Sequence, residues 1–379
     1  MKQSGRVGPI PPAQVHFPAE DLEELTARLR EILQSGRLTL GPYTENFEKG
    51  FATLHQRNIG VAVNSGTSAL EIILRAMRIQ GGDVIVPTNT FAATAFAVLH
   101  SGNRLVLADV DGQMFLDPED VQKRITPDTK AVIAVHIGGR VVPSIESLAA
   151  ICEAKRIPLI EDAAHAHGSR LLDRFAGTFG VAAAFSFYPT KVITSGEGGM
   201  VVTDDEELAA KCRVLRDQGK AGFGQNLHTE LGYNWRMSEI HASIGLSQLK
   251  RLHEFIESRR KIAAIYDKGL ASLGSLESLR DVDGMYSNYY KYIALLSPLV
   301  TRADLKATLK QNFGISLSGE VYDLPLHLQP VFRANLSAAP GSFTMAEDLC
   351  RRHICLPVFA SMTAEQADYV VASLHEVLQ

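Results

Sequence analysis

The sequence predicts an α/β protein with a mostly parallel central sheet and a smaller C-terminal α+β domain. Up to about residue 162, short apolar runs alternate with stretches of helical periodicity. This is the pattern of a parallel sheet covered on both faces. The alternation then changes, and helical periodicity runs on through Glu239–Leu270. Finally, 379 residues, 46% of them hydrophobic and 21% charged, suffice for two ordinary globular domains. The boundary is placed at 254/255, with a large α/β domain over 1–254 and a small α+β domain over 255–379.

The elements follow in order. Leu22, Leu25, Leu29, Ile32 and Leu33 recur at helical spacing in a first helix over 18–36, which Gly36 can end. A strand at 60–64 leads to a helix from Thr67 to about Ile79, stopped by Gly81-Gly82. Next come a strand at 83–87, a helix near 92–100, a strand at 104–109 and a helix near 118–125. A strand at 130–136, a helix at 144–155 and a strand at 157–162 complete the alternating part. Beyond Glu239–Leu270 lie a strand-like stretch at 289–296, a helix at 302–312 and a last helix at 364–378.

Composition narrows the function. Against 42 Asp+Glu stand 38 Lys+Arg, and the net charge of −4 is spread without blocks of one sign. Nucleic-acid and anionic-membrane partners are therefore not expected. The cysteines, Cys152, Cys212, Cys350 and Cys355, form no C-x-x-C pair and fit a reduced protein better than a disulfide scaffold or zinc site. Lys2 and Arg6 in Met1–Pro12 are interrupted by Gly and Pro, and no apolar stretch follows. No run of 18 apolar residues occurs. A soluble, cytoplasmic protein is expected.

Ligands of open α/β sheets bind beyond the carboxyl ends of the strands, so the residues after each strand are the candidates. Ser65-Gly66-Thr67-Ser68 opens a helix, where free N–H groups and hydroxyls suit a phosphate; an ordinary cap by Ser65 or Thr67 reads as well. Glu161-Asp162 ends a strand with its two carboxylates on opposite faces. Asp162 can pair with a cationic cofactor ring or, with His165 and His167, bind a metal; a polar loop with a satisfied histidine is the bland alternative. In Ala184–Lys191 a lysine follows an aromatic strand, inside a Ser/Thr-rich turn before the glycines of 196–199. A partly buried lysine there has a lowered pKa and can form a Schiff base. Pyridoxal phosphate needs such a lysine, an acid opposite its pyridinium nitrogen and a phosphate seat. Lys191, Asp162 and Ser65–Ser68 supply all three, and Ser186 can add a hydroxyl to the phosphate. Phe91, at a strand end, can stack on a flat ring or simply fill the core. Gly232–Met237 holds the only Trp and an Asn/Arg pair. No G-x-x-x-x-G-K-[ST] occurs, and Gly222-Phe223-Gly224 lacks the third glycine of a dinucleotide fingerprint.

Together, Asn64–Leu70, Thr90–Thr94, Glu161–Gly168, Ser186–Lys191, Gly196–Met200, Gly232–Met237, Leu324–Pro330 and Leu356-Pro357 resemble the DegT/StrS-type sugar aminotransferases, in that family's order and over nearly the whole chain. The resemblance implies the pyridoxal-phosphate transferase fold of type I and a homodimer with active sites at the subunit interface. It makes Lys191 the Schiff-base lysine, Asp162 the partner of the pyridinium nitrogen and Phe91 the stacking aromatic. Gly66, Thr67 and Ser186 match the phosphate seat, and Asn234 matches an asparagine reaching the phosphate of the other subunit's cofactor. His165 stands where most sugar-nucleotide members have glutamine, beside the cofactor's phenolate oxygen, and His136–Gly139 lacks the tyrosine common there. Tyr188, Tyr322 and His327, with the segment 219–231, are expected to face the substrate. The expected reaction moves an amino group from glutamate or glutamine to a keto group of a nucleotide-linked deoxysugar, in amino-sugar or antibiotic biosynthesis. Some relatives with histidine at the 165 position aminate cyclitols or make an aminated aromatic precursor, so a ketocyclitol acceptor is the alternative. A sugar dehydratase of this fold would carry histidine in place of Lys191. A regulatory ligand sensor would have little need for lysine, acid and phosphate seat together. No metal is expected.

Overall fold

A computed structural model describes residues 8–222, 224–333 and 339–378. Met1–Val7, including Lys2 and Arg6, and Phe223 lie outside the described residues. Eight helices lead through the first part of the chain: α1 (Ala19–Ser35), α2 (Pro42–Leu54), α3 (Gly66–Ala76), α4 (Ala92–His100), α5 (Pro118–Arg124), α6 (Ile145–Lys155), α7 (Glu206–Arg216) and α8 (Glu239–Gly269). Between them run β1 (Ile59–Val63), β2 (Asp83–Pro87), β3 (Arg104–Ala108), β4 (Thr129–Val135) and β5 (Leu159–Asp162). The short pair β6 (Arg170–Leu171) and β7 (Arg174–Phe175) follows, then β8 (Ala182–Ser186) and β9 (Gly199–Thr203). The rest is β10 (Leu276–Ser278), β11 (Met285–Tyr286), β12 (Tyr292–Leu296), α9 (Arg302–Phe313), α10 (Pro330–Arg333), α11 (Thr344–Arg352), β13 (His353–Leu356) and α12 (Ala364–Leu378).

The central sheet has the order β1-β9-β8-β5-β4-β2-β3. The ladders joining β8, β5, β4, β2 and β3 are parallel, and β9 runs antiparallel to both its neighbours. Val61–Val63, Val84–Val86 and Ala182–Phe185 are buried residue after residue. A strand covered on both faces has no use for alternation, and each buried Val, Ile or Phe side chain contributes about 1.5–3 kcal/mol. This is the α/β fold with a mostly parallel sheet that the alternation predicts. A smaller sheet, β10-β12-β13, lies in the last third of the chain.

Two apolar clusters organise the interior. The first surrounds the central sheet. The second joins Ile262, Tyr266, Tyr292, Leu309, Ile354 and Leu374, and Ile10 from the start of the chain belongs to it. Helix α8 serves both: Leu252, Phe255 and Ile256 pack in the first cluster, Ile262, Ala263 and Tyr266 in the second. The position 254/255 falls inside this helix.

Several details differ from the sequence expectation. Helix α3 ends at Ala76, before Ile79, because Arg78 turns the chain at φ 57° ahead of the two glycines. On α1 the apolar repeat forms a helix, and Gly36 ends it at φ 68°. Yet Ile32 is buried while Leu22, Leu29 and Leu33 are 51%, 39% and 58% exposed. Helices α2, α7 and α11 and strand β13 add to the expected elements. The start of α2 is held from far away: the Glu239 carboxylate accepts from the N–H groups of Gly41, Tyr43 and Thr44, each at 2.9 Å. Among the described residues, no helix is long and apolar enough to cross a membrane.

Candidate active site

A cavity of about 460 Å³ opens at the carboxyl ends of β5 and β8. It is lined by Gly66, Thr67, Phe91, Asp162, His165, Ser186, Tyr188, Lys191 and Tyr322 of the sequence-predicted residues. These come from the start of α3, the start of α4, the ends of β5 and β8 and the loop after α9. The strand order brings them together: β5 and β8 are neighbours, so their last residues, Asp162 and Ser186, line one cavity.

The floor is the start of α3. Ser65 and Ser68 cap it reciprocally, each hydroxyl accepting from the other's backbone N–H at 3.1 Å. A helix start leaves its first N–H groups without intrahelical acceptors, and Gly66 and Thr67 here line the cavity. Position 66 admits only glycine, since a Cβ there would stand 2.7 Å from that of Ser186. The helix start, Thr67 and Ser186 thus line the same cavity, with N–H and hydroxyl donors of the kind a phosphate dianion takes.

Across from it, Asp162 is buried. Its Oδ2 accepts from Thr94 Oγ1 at 2.7 Å, and its Oδ1 accepts from the Ala164 N–H at 3.2 Å. Thr94 in turn contacts Thr90 Oγ1 at 2.8 Å, so the carboxylate is held in one orientation. Burial raises its pKa, offset in part by Thr94, Ala164 and the charge of Lys191. A cationic group placed opposite it would draw the pKa down again. Glu161 points the other way, as strand alternation requires. It is paired with buried His136 at 2.8 Å and accepts the N–H groups of Gly177, Phe179 and Gly180 at 2.6–2.7 Å. Burial pushes its carboxyl up, but His136 and these N–H groups outweigh it and the pKa is lowered.

Lys191 follows the tight turn after β8, its backbone N–H donating to Tyr188 O at 2.9 Å. The ammonium lies 4.8 Å from the centre of the Tyr290 ring. Burial lowers its pKa to about 7, Asp162 opposing and Lys291 assisting the shift. A large part of the lysine is therefore a neutral amine near pH 7, the form that attacks a carbonyl. His165 packs on Tyr290 at 4.4 Å, and its Nδ1 accepts from the Gly138 N–H at 3.3 Å. Burial, then Lys191 and Lys291, keep the imidazole well below its ordinary pKa. A neutral ring that accepts at Nδ1 donates at Nε2. Lysine, buried acid and phosphate cradle together fit pyridoxal phosphate.

Two expected residues stand apart. His327 is fully buried and does not line the cavity; Thr88 Oγ1 lies 2.8 Å from its Nδ1 and Glu347 3.0 Å from its Nε2. Both ring nitrogens are thus engaged within the fold, and the expected contact between His327 and substrate is not among those this chain's cavity makes. Asn234 is exposed and pairs with Asp217 in an isolated bridge, outside the lining of this chain's cavity. Phe91 and Tyr188 line the cavity with 64% and 49% of their surface exposed. Sequence reasoning missed Thr94's bond to Asp162, Glu197, and the pair Tyr290-Lys291. The sign available for the pair was a lysine at the mouth of an otherwise apolar strand. Among the described residues, no group of three or more His, Cys, Asp or Glu side chains is placed to hold a metal.

The comparisons agree with this geometry. The sequence profile of the DegT/DnrJ/EryC1/StrS aminotransferase family matches residues 19–375. A pleiotropic regulatory protein of Geobacillus stearothermophilus is 37% identical over 93% of this chain and 94% of its own. GDP-perosamine synthase of Escherichia coli O157:H7 is 35% identical over 89% of this chain and 90% of its own. The solved structure of S. venezuelae DesV, in complex with a ketimine intermediate, superposes with a TM-score of 0.92 at 32% identity, over 98% of this chain and 99% of that one. The family's cofactor is pyridoxal phosphate. With its profile spanning nearly the whole sequence, this chain belongs to the DegT/DnrJ/EryC1/StrS aminotransferase family and is a sugar aminotransferase.

Proposed function

We propose that this enzyme takes an amino group from glutamate or glutamine and transfers it to the keto group of a nucleotide-linked deoxysugar, in amino-sugar or antibiotic biosynthesis. The observation that carries the reading is the placement of Lys191 and Asp162 on one cavity with the Gly66–Thr67 and Ser186 donors. When bound, pyridoxal phosphate supplies an electron sink for the bond broken at the substrate's α-carbon. Gly66, Thr67 and Ser186 would hold the phosphate, and Phe91 would cover the ring. Asp162 would keep the ring nitrogen protonated. The Nε2–H of His165, left free by the Gly138 contact at Nδ1, would be the donor offered to the cofactor's phenolate oxygen. Lys191 would anchor the cofactor, and its amine, neutral in part near pH 7, would be the base that takes the proton from the donor's α-carbon and holds it for return. In the second half of the cycle the same groups serve the ketosugar in reverse, which gives ping-pong kinetics. A ketocyclitol acceptor is the second reading, favoured by His165 in place of the common glutamine.

The enzyme works as a homodimer. The half-exposed Phe91 and Tyr188 leave one wall of the cavity open, and the outward leucines of α1 offer an apolar surface for a second copy. Asn234 of the partner subunit then completes each site. Cys152, Cys212, Cys350 and Cys355 are free and buried, which supports a reducing, cytoplasmic setting. The same reading divides the chain into a cofactor-holding unit over 1–254 and a smaller unit over 255–379.

The test is the visible spectrum of the purified protein. A yellow band that bleaches with glutamate or glutamine, and returns with a keto-deoxysugar nucleotide but not a ketocyclitol, is expected. A band that neither amino acid bleaches would overturn the donor assignment. A band restored only by the cyclitol would replace the acceptor.

A further inference from the structure

The cavity holds a second lysine that the reaction outlined above does not use. Lys291 lines it one residue before β12, and its ammonium lies 5.4 Å from the Tyr290 ring centre, the ring that also faces Lys191 at 4.8 Å. Its hydrogen-bond acceptor is the Gly319 carbonyl at 3.3 Å, one neutral oxygen for a group with three donors. Among the described residues no carboxylate lies within ion-pair distance of it. The nearby Glu320 is paired instead with Lys306 and Arg302. The position is built: the Lys291 backbone N–H donates to Gly138 O at 3.0 Å, and the Gly138 N–H holds His165. Gly138 itself sits at φ 67°, where a Cβ would stand 2.7 Å from Ile293 Cδ1. A partly buried cation without a counter-ion is costly unless a ligand brings the opposite charge.

We propose that Lys291 is the anion-binding side chain of this cavity, seating beside Lys191 an oxyanion that the substrate carries. Two sources share that chemistry: the α-carboxylate of the amino donor, and the diphosphate or carboxylate of the sugar acceptor. The inference rests on the aminotransferase reading of the same cavity and adds to it the charge a substrate must present. Burial lowers the Lys291 pKa, and an incoming anion draws it up again, so binding and protonation reinforce each other.

Calorimetry on the pyridoxal-phosphate-loaded wild type, Lys291→Met and Lys291→Arg tests it. The donor probe is α-methylglutamate, which lacks the α-proton and binds without turnover. Its 1-amide replaces the α-carboxylate by a neutral group. The acceptor probes are dTDP-glucose and UDP-glucuronate. A charge-assisted hydrogen bond lost to methionine weakens the probe that uses it by about 10- to 100-fold, and arginine restores most of the loss. A loss confined to α-methylglutamate, and absent for its amide, assigns the donor carboxylate. A loss confined to the nucleotide sugars assigns the acceptor. Equal binding by wild type and Lys291→Met in every arm overturns the proposal, as does a loss that the 1-amide shares. Bleaching of the wild type by glutamate or glutamine tests the donor reading separately. A wild type that bleaches, with all probes indifferent to Lys291, condemns the Lys291 assignment only.

Discussion

Lys191 shows what a few neighbours do to one amine. An exposed lysine is almost wholly protonated near neutrality, whereas burial brings this one to about pH 7. Its neutral fraction therefore rises with pH through that value. The rate at which apoprotein captures pyridoxal phosphate, followed as growth of the visible band, is expected to climb between about pH 6 and pH 8 and then level off; a flat profile would contradict it. Lys191→Ala is expected to lose steady-state transamination while keeping the fold, checked by activity beside circular dichroism. Much of this site was legible in the sequence, because Lys191, Asp162 and Ser65–Ser68 each follow a strand or open a helix. Lys291 and Tyr290 were not, since their role depends on a wall contributed some 100 residues away from Lys191 in sequence, and a lysine at the mouth of an apolar strand, the one local sign, does not say which site it faces. The partners of His327 were hidden for the same reason: nothing in a histidine between prolines and leucines shows that Thr88 and Glu347 lie against its two nitrogens.

At the scale of elements, two carboxylates work at a distance. Glu239 opens α8 yet caps α2, taking three backbone N–H groups almost 200 positions earlier. Glu239→Ala leaves these donors without their partner and is expected to cost about 2–4 kcal/mol, read as a lower urea midpoint at unchanged slope. The cap of α2 escaped the sequence reading because of that long reach: no side chain at its own start caps it, and Gly41-Pro42 is its one local sign. The alternating strands and helices between residues 59 and 162 were legible because each carries its own apolar period. Glu161 secures the turn at 177–180 from the face of β5 opposite Asp162. Its folded pKa lies below the unfolded value, so its contribution is present above about pH 4.5 and is lost as pH falls through the folded pKa. Glu161→Gln is expected to lower stability near pH 7 and to flatten the acid limb of the stability curve, measured by thermal melts between pH 3 and pH 7.

For the whole molecule, the outward row of Leu22, Leu29 and Leu33 on α1 raises the question of assembly. Leu29→Asp with Leu33→Asp places two charges on that row and is expected to shift the protein from dimer toward monomer in sedimentation velocity, with activity falling in parallel at low concentration. A double variant that stays dimeric would move the contact to another face. Helix α8 has a different consequence. Its 31 residues extend roughly 46 Å, an unbroken beam that sends buried side chains into both apolar clusters. Cutting the gene near residue 254 would saw through that beam and leave two pieces, each with half of a shared strut and a raw oily stump. The polypeptide is therefore a poor subject for dissection, and its two ends should melt together as one cooperative event.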